Sequence, residues 1–371
     1  MIRVLHSVSN MDRAGIETML MNYYRHMDRS KIQFDFLCNK QKLGAYEEEI
    51  YALGGKVYRT PGLNPAKYPR YLRYMKKLFA ENPDYRIIEA HNGALGAYAL
   101  NAARHNGIPV RIFHAHGASI HRDWKLPLKL LCRVLLPIST NQRFSCGEAA
   151  AKCYFGAKKA RAKDYILIPN AIEIERFVFD EEIRNRLRRE NGLDGKHVVG
   201  HVGRFFPQKN HAFLIEAFAC LKQQDPTAYL VLIGDGEEMT SIQAAAERLG
   251  IADSVRFLGS IANVNEWYQA FDVFVLPSIW EGLPVVGVEA QTADLPCVIS
   301  DSVTREIQIL EKTRFVGLRE GPKRWAEVIS QALDDAQRKN VGHIIAEHGY
   351  DISVEAVKLQ ERYLKLAGKQ Q

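Results

Sequence analysis

The sequence predicts an α/β protein built from two tandem Rossmann-like domains. The chain has 371 residues, more than the roughly 250–300 residues at which a single hydrophobic core stops growing. Short apolar runs alternate with helical patterns, as they do in parallel sheets joined by crossover helices. This alternation occurs once in each half of the chain, so we expect one sheet in each domain.

The first half contains apolar runs that are typical of buried parallel strands, with segments of helical spacing between them. The runs are 2–8, 34–38, 57–60, 86–90, 110–114 and 143–146. We therefore expect a first domain over residues 1–170.

The second half repeats the pattern. Its runs are 198–202, 229–233, 255–258, 273–276, 297–300 and 316–318. A charged connection with one helix separates the two sets, which predicts a linker over 171–195 and a second domain over 196–350. Apolar residues at helical spacing then predict an amphipathic helix within 351–371.

Charge is divided unevenly between the halves. Residues 1–165 carry 27 Lys and Arg against 13 Asp and Glu, a net charge of +14, whereas 166–371 carry 23 against 30, a net charge of −7. An excess of this size indicates an anionic partner for the first domain, such as a lipid surface, a phosphorylated acceptor or a nucleic acid.

Composition indicates an ordinary globular protein, with 47% apolar and 25% charged residues. No run approaches the roughly 20 apolar residues of a membrane-spanning helix, and the N-terminus lacks a signal-peptide pattern. We therefore expect a cytoplasmic protein. The six cysteines show neither a Cys-x-x-Cys pair nor zinc spacing, so we expect buried thiols.

The most informative segment is 277–289, which follows the predicted strand 273–276. Glu281 stands at the carboxyl end of that strand, where open α/β sheets bind ligands. Gly282-Leu283-Pro284 predicts a turn that opens a helix, and Glu289 lies about two helical turns further on. Two carboxylates so placed can hold the two ends of an elongated polar ligand, such as a nucleotide sugar.

A second loop, 203–210, leaves the predicted strand 198–202. Gly203 lets the backbone approach a ligand, while Arg204 and Lys209 can bracket a diphosphate through charge-assisted hydrogen bonds. Near the N-terminus, Gly15 lies at a strand-to-helix turn that exposes N–H groups to anions. An ordinary helix-entry turn is an equal expectation for Gly15.

Three histidines, His114, His116 and His121, lie at or after the end of strand 110–114. Strand alternation sends His114 and His116 to the same side, so which of them reaches a ligand stays open. A core His114 hydrogen-bonded to backbone is one alternative. A zinc site is another, but no acidic ligand lies nearby in sequence and no Asp-x-Asp pair occurs, so we expect no metal.

Together these segments resemble the retaining glycosyltransferases of family 4, which have the two-domain GT-B fold. Glu281 and Glu289 match the family's Glu-x7-Glu motif, and 278–284 matches its Ser-x-x-Glu-Gly-Leu-Pro. Gly203-Arg204 and Lys209 match its Gly-Arg-x4-Lys motif. Segments 29–36 and 202–211 are most similar to bacterial enzymes of exopolysaccharide and capsule assembly.

The resemblance implies two domains facing across a cleft, with the last helix crossing back to the first domain near Tyr350-Asp351. It implies transfer of a hexosyl unit from a nucleoside-diphosphate sugar, with UDP favoured, to a saccharide or lipid-linked acceptor with retention of configuration. Fixed cations would replace a metal, so no cofactor is expected. The implied contacts are Glu281 and His116 to the sugar, Glu289 to the ribose, Arg204 and Lys209 to the diphosphate, and Gly15, Gly203, Gly282 and Leu283 to the donor.

Two basic stretches, 67–79 and 122–133, each predict an amphipathic helix. Their cations suit an anionic membrane interface, and the solvated face of an ordinary domain helix stays open as the alternative. The cations are Arg70, Arg73, Lys76, Lys77, Lys125 and Lys129. Peripheral contact with the inner face of the cell membrane is therefore expected.

Two other functions fit part of the pattern. A nucleotide-sugar epimerase of the same fold would act without an acceptor. A nucleic-acid-binding protein could use the charge of +14 on residues 1–165, but no recognised nucleic-acid motif or stacking platform appears. We therefore expect no nucleic-acid partner.

Overall fold

The structure is a computed structural model, and it describes residues 1–117, 126–335 and 337–368. The chain divides into two compact units. The first unit comprises Met1–Ile172 together with Asp351–Gln371, and the second comprises Glu173–Tyr350. Both are parallel α/β units, as the sequence predicts.

The first unit is built on a seven-stranded sheet with the order β3-β2-β1-β4-β5-β6-β7. All its paired strands are parallel. Every residue of β2 is buried, as expected of a strand covered on both faces. The strands are β1 Ile2–Val8, β2 Ile32–Cys38, β3 Val57–Arg59, β4 Ile87–Ala90, β5 Val110–Ala115, β6 Gln142–Ser145 and β7 Ile166–Leu167.

Helices connect these strands and cover the sheet. Their order after each strand gives the crossover connections that parallel pairing requires. The helices are α1 Gly15–His26, α2 Glu47–Ala52, α3 Tyr68–Glu81, α4 Ala97–His105, α5 Leu126–Ser139, α6 Glu148–Phe155 and α7 Ala157–Arg161.

The second unit is built on a six-stranded parallel sheet with the order β10-β9-β8-β11-β12-β13. The strands are β8 His197–Val202, β9 Ala228–Ile233, β10 Val255–Phe257, β11 Val273–Leu276, β12 Cys297–Ser300 and β13 Thr313–Val316. The helices are α8 Glu181–Glu190, α9 His211–Gln224, α10 Met239–Arg248, α11 Val264–Ala270, α12 Val285–Thr292, α13 Gly321–Leu333 and α14 Gly342–Glu347.

Several strand ends are shifted by one or two residues, β7 was not among the predicted runs, and two further boundaries differ from the sequence prediction. The last strand lies at Thr313–Val316 and not at 316–318, because Cys297–Ser300 pairs with Thr313–Val316 in register. The segment expected as a linker, 171–195, contributes from Glu173 onward to the second unit. There Arg184 and Arg188 of α8 both form ion pairs with Asp272, which fixes α8 to the start of β11.

The last helix, α15, spans Ile352–Gly368 and belongs to the first unit. It packs against α1, and its Tyr363 is fully buried in the first core. The chain enters this helix through a parallel bridge between Ile172 and Asp351. The helix that the resemblance places on the first domain is therefore found there.

Each sheet reverses its strand order at one point, between β1 and β4 in the first unit and between β8 and β11 in the second. Ligands of open α/β sheets bind beside the carboxyl ends of the strands at such points. None of the helices in the described part of the chain is long and apolar enough to cross a membrane.

Candidate functional site

In the second unit, the loops that follow β8 and β11 meet through Glu281. Lys209 Nζ donates to Glu281 Oε1 at 2.6 Å, and Ser278 Oγ donates to the same oxygen at 2.9 Å. Gln208 Nε2 donates to Oε2 at 3.0 Å. Glu281 is buried, so the ion pair and these hydrogen bonds compensate its desolvation. The structure thus brings together two of the residues predicted from separate motifs.

Glycine at position 203 is required by this arrangement. A Cβ atom there would lie 2.9 Å from His201 Nε2 and 3.1 Å from Lys209 Cδ. Neighbouring Gly234 has a φ of +139°, and a Cβ on it would lie 2.1 Å from the Gly203 carbonyl oxygen. The backbone therefore crosses itself closely under the 203–210 loop, which a larger residue would prevent.

Arg204 is placed differently from Lys209. Its side chain is exposed, with the guanidinium carbon 5.8 Å from the centre of the Phe206 ring. Among the described residues, no hydrogen bond or ion pair joins Arg204 to Glu281. One predicted phosphate ligand is thus already engaged by a carboxylate, whereas the other lies in solvent.

Glu289 lies on α12 and is half-buried. Tyr268 Oη donates to Glu289 Oε2 at 2.8 Å. Burial raises the pKa of Glu289 to about 7, and the Tyr268 hydrogen bond partly opposes that rise. The carboxyl group therefore changes its charge near neutral pH.

The helix that follows Glu281 begins directly after the predicted turn Gly282-Leu283-Pro284. Its first residue is Val285 and its N-cap is Pro284, so Gly282 and Leu283 lie in the preceding turn. Leu283 is buried, whereas Gly282 is half-buried. Because Pro284 cannot donate and Gly287 N–H donates to the Pro284 carbonyl, the N–H groups that this helix start can offer are those of Val285 and Val286.

In the first unit, three imidazoles form a hydrogen-bonded chain at the carboxyl edge of the sheet. His6 Nδ1 lies 3.1 Å from His91 Nε2, and His91 Nδ1 lies 2.9 Å from His116 Nε2. His6 belongs to β1, while His91 and His116 directly follow β4 and β5. The fold therefore gathers at one edge residues that are far apart in sequence.

His114 lies beside this chain but bonds elsewhere. Its Nδ1 is 2.8 Å from Glu89 Oε1, and its ring stacks on His116 with 4.0 Å between ring centres. Tyr363 of α15 donates to Glu89 Oε2 at 2.5 Å. His114 is therefore a core histidine, as one alternative held, but its partner is the buried Glu89 carboxylate and not the backbone.

Burial sets the protonation of these groups. It lowers the pKa of His6 to about 4 and that of His114 to about 3, and it holds the pKa of both His91 and His116 well below the usual value. The pKa of Glu89 is raised by the same desolvation. The four imidazoles are accordingly neutral at physiological pH. His116 is half-buried whereas His114 is 1% exposed, so His116 is the more accessible of the two.

The cluster includes side chains that could hold a metal ion. His91, His114 and His116 offer ligand atoms within 4.8 Å of one another, and His6, Glu89 and His91 do the same. Two of these nitrogens, His91 Nδ1 and His116 Nε2, already share a hydrogen bond. The prediction that no metal is needed stays a prediction.

Gly15 is the first residue of α1, after the extended N-cap Ala14. A Cβ atom at Gly15 would meet nothing within 4 Å. Local packing therefore does not require a glycine here, which leaves the helix entry open to an incoming group.

The basic residues predicted to face a membrane fall on two helices of different character. Arg70, Arg73, Lys76 and Lys77 are all exposed on α3. On α5, Lys129 is half-buried, and Lys125 lies outside the described residues. The exposed face of α5 is largely apolar, because residues at helical spacing point outward together: Leu130, Leu131, Val134, Leu135 and Ile138.

Each of the two units matches a known protein family. Residues 14–170 match the family described as glycosyl transferase 4-like domain, and residues 183–348 match glycosyl transferases group 1. A putative glycosyltransferase of Bacillus subtilis, EpsF, is 37% identical over 94% of this chain and 93% of its own length. The chain belongs to the group 1 glycosyltransferases.

Other glycosyltransferases are similar over different extents. The Staphylococcus aureus capsular polysaccharide biosynthesis glycosyltransferase CapH is 23% identical over 98% of this chain and 99% of its own. An Escherichia coli UDP-Gal:alpha-D-GlcNAc-diphosphoundecaprenol alpha-1,3-galactosyltransferase is 28% identical over 58% of each chain. The structure of Anabaena HepE in complex with UDP and glucose superposes with a TM-score of 0.79, at 18% identity, over 98% of this chain and 100% of that one. This glycosyltransferase therefore has the GT-B fold, and the predicted family and its similarity to bacterial exopolysaccharide and capsule enzymes are confirmed.

Sequence reasoning missed several residues of both edges. They carry no motif, since each acts through a partner that is distant in sequence. His91 had the best signal, because it directly follows a predicted strand, as the histidines after strand 110–114 do. The missed residues are His6, Glu89, His91, Gln208, Tyr268 and Tyr363.

Proposed function

We propose that the protein transfers a hexosyl unit from a nucleoside-diphosphate sugar, with UDP as the nucleotide, to a saccharide or lipid-linked acceptor with retention of configuration. The observation that carries the proposal is the Lys209–Glu281 pair at the point where the second sheet reverses. The name of CapH supports a role in exopolysaccharide or capsule synthesis, and the name of the E. coli enzyme supports a UDP-sugar donor and a lipid-linked acceptor. The complex of HepE with UDP and glucose supports the donor class.

Donor binding uses the charges of the second unit. Glu289 accepts hydrogen bonds from the ribose hydroxyls, and a carboxylate is a strong acceptor for such donors. Arg204 and Lys209 hold the diphosphate, together with the N–H groups around Gly203, Gly282 and Leu283. Lys209 then lies between Glu281 and a phosphate, so its single cation serves both anions.

Glu281 holds hydroxyls of the transferred sugar and is not a nucleophile. Its two oxygens already accept from Lys209, Ser278 and Gln208, which orients the carboxylate and lowers its nucleophilicity. Retaining glycosidases instead place two carboxylates on either side of the scissile bond. Here the second carboxylate, Glu289, bonds Tyr268 and is assigned to the nucleotide.

The bond that breaks joins the anomeric carbon to the diphosphate oxygen. Negative charge grows on that oxygen, and Arg204 and Lys209 stabilise it as fixed cations, so no metal is required. The leaving phosphate takes the proton of the acceptor hydroxyl as the new glycosidic bond forms on the same face. In the first unit, Gly15 approaches the donor phosphate and His116 contacts the transferred sugar.

The acceptor side belongs to the first unit, where α5 exposes an apolar stripe. Leu131 and Val134 are 59% and 69% exposed, and Arg133 is exposed between them. Apolar side chains flanked by cations suit the interface of an anionic bilayer. We propose peripheral attachment to the inner face of the cell membrane and no nucleic-acid partner.

The donor is tested by a thermal-shift screen of UDP, GDP and their hexose derivatives. A ligand at 100 times its dissociation constant stabilises by about 2.7 kcal/mol. NMR of the product from the best donor should show the anomeric configuration of that donor. Release of an isomerised free sugar without an acceptor would instead identify an epimerase.

Membrane attachment is tested by sedimentation with anionic and neutral vesicles at low and high salt. Leu131→Glu/Val134→Glu should abolish binding to anionic vesicles, while Lys76→Glu/Lys77→Glu on α3 should weaken it and make it less salt-dependent. Donor affinity provides the folding control for both variants. Failure of the wild type to bind either vesicle would leave a water-borne saccharide acceptor.

A further inference from the structure

The hydrogen-bonded histidine chain His6–His91–His116 fixes which nitrogen is protonated in all three rings together. Each contact joins Nδ1 of one ring to Nε2 of the next. A neutral imidazole carries one proton, and each contact needs one donor and one acceptor. The three rings must therefore all be protonated on Nδ1 or all on Nε2.

The buried end of this histidine chain, at His6, favours the state in which all three rings are protonated on Nδ1. His6 Nε2 is buried and has no hydrogen-bond partner among the described residues. Its ring lies against Phe34, with 4.1 Å between ring centres. Protonation of all rings on Nε2 would leave an orphan N–H in that apolar end, whereas protonation on Nδ1 leaves only a bare lone pair. Buried N–H groups without a partner are the rarer case in proteins.

Among the described residues, neighbouring groups do not supply these rings with another side-chain partner within hydrogen-bonding distance. Glu89 Oε1 lies 3.7 Å from His91 Nε2 and is engaged by His114 Nδ1 at 2.8 Å. His114 stacks on His116 and takes no part in the chain. The tautomers of His91 and His116 therefore follow from the chain itself.

We propose that His6 and His91 are positioning residues that hold His116 in its Nδ1–H form, so that His116 presents a hydrogen-bond donor to an oxygen of the transferred sugar. The role toward the sugar rests on the proposed function, whereas the tautomer does not. His116 Nδ1 is the ring nitrogen that the chain leaves for a ligand. Flipping it to an acceptor would require moving protons on all three rings.

The test is a two-bond ¹H–¹⁵N correlation spectrum of ligand-free protein labelled with ¹⁵N-histidine, recorded near neutral pH. Signals of His116 and His91 are assigned by their loss in His116→Gln and His91→Asn. We expect an Nδ1–H pattern for both rings. An Nε2–H pattern for His116 overturns the proposal.

Two variants at His91 separate donation from packing. In His91→Asn the amide nitrogen takes the place of Nδ1 and can still donate to His116 Nε2, so the Nδ1–H signal of His116 should persist. In His91→Phe the donor is lost, and His116 should show both tautomers. Retention of a single Nδ1–H form in a folded His91→Phe overturns the proposal.

Metal content gives an independent outcome. A metal ligated by His91 and His116 would replace the proton that they share, so stoichiometric zinc in the purified protein overturns the proposal. With UDP-glucose as the donor probe, His91→Phe should lower turnover about two- to tenfold, the worth of one neutral hydrogen bond, with His91→Asn closer to wild type. If the wild type shows an Nδ1–H His116, His91→Phe shows both tautomers and the turnover of that variant is unchanged, the tautomer is supported and the sugar contact is overturned.

Discussion

The carboxyl edges of the two sheets stabilise their buried polar side chains in different ways. In the second unit, the buried Glu281 is matched by the cation of Lys209. In the first unit, the cluster around His91 and Glu89 contains no Lys or Arg among its described hydrogen-bond partners, and burial keeps its imidazoles neutral. The edge of the second sheet is therefore stabilised by an ion pair, whereas the edge of the first sheet is stabilised by hydrogen bonds between neutral imidazoles.

This difference indicates a division of labour. Paired charges can be re-partnered by an anionic ligand, which suits a diphosphate whose charge grows during reaction. Neutral imidazoles cannot hold an anion strongly, but they orient hydroxyl groups by hydrogen bonds of fixed direction. The second edge is thus suited to the donor's charged end and the first to sugar hydroxyls.

The largest expected effect is that acid destabilises the two units to different extents. The cluster of the first unit has four imidazoles with lowered pKa values, His6, His91, His114 and His116, while the described part of the second unit has His201 and His211, with pKa values of about 4 and about 2. Because the unfolded chain binds these protons and the folded chain does not, stability is complete above about pH 6.5 and falls as the pH drops toward 4. Each imidazole contributes up to about 1.4 kcal/mol per pH unit.

Each unit also contains a glutamate whose raised pKa works in the other direction, Glu89 in the first and Glu289 in the second. Each binds a proton more readily in the folded state, which favours that state in acid and opposes the histidines. Because four imidazoles of the first unit stand against two in the described part of the second, the first unit should unfold at higher pH than the second. Pulsed hydrogen exchange at one labelling pH, after incubation from pH 7 to 4, measures this order. His211→Leu, which removes an imidazole without hydrogen-bond partners among the described residues, should shift only the second unit. Simultaneous loss of both units would contradict the comparison.

Lys209→Met should give the next largest effect. It leaves Glu281 buried without its cation and removes one of the two charges proposed to stabilise the leaving diphosphate. Turnover should fall about 10²–10³-fold, more than the affinity for the donor does. Arg204→Met should also lower turnover, but it should leave thermal stability intact, because Arg204 is exposed and bonds no carboxylate among the described residues.

Steady-state kinetics and thermal unfolding distinguish these two variants, with Lys209→Arg as the conservative control. A variant of Lys209 that raises only the Michaelis constant would exclude a role in leaving-group stabilisation.

A smaller effect should appear at Glu289, whose pKa is about 7. Above that pH the carboxylate accepts from ribose hydroxyls with full charge, so affinity for uridine should rise as the pH increases through about 7. Glu289→Gln should bind roughly tenfold more weakly and without this pH dependence. Uridine is the appropriate ligand because it has no phosphate that titrates in the same range.

Tyr268→Phe removes the hydrogen bond that lowers the Glu289 pKa, so the midpoint of the affinity profile should move to higher pH. Calorimetric titration from pH 6 to 9 measures both variants. A flat profile in the wild type would remove Glu289 from the ribose site.

The sequence predicted what depends on local pattern. The strands and the loops at 203–209 and 277–289 were found because apolar runs, glycines and charges stand within a few residues of one another. The Lys209–Glu281 pair itself was not predicted, although both residues were, and it follows from the rule that parallel strands end at the same edge. The start of α12 was also found from local pattern, because Gly282-Leu283-Pro284 forms the predicted turn and the helix begins at Val285.

The histidine chain could not be predicted in the same way. His6 and His91 are 85 residues apart, and Glu89 and Tyr363 are 274 apart. Their contact depends on strand order and on the return of α15, which no local pattern encodes. The apolar face of α5 was also missed, because leucines at helical spacing normally face a core.

The smallest predicted effect of all is that of metal removal. Arg204 and Lys209 supply fixed positive charge in the second unit, so EDTA should leave turnover unchanged. The test is informative because the first unit offers a possible metal site: the ligand atoms of His91, His114 and His116 lie within 4.8 Å of one another. Activity is measured after dialysis against EDTA and again after addition of magnesium, manganese or zinc, with Lys209→Met as a sensitised background. If a metal substituted for a missing cation, the variant would recover while the wild type stayed constant. If EDTA abolished wild-type activity and magnesium or manganese restored it, a metal would take part in the reaction. If zinc alone restored it, the histidine cluster of the first unit would hold a metal ion, and its imidazoles would not be joined by hydrogen bonds.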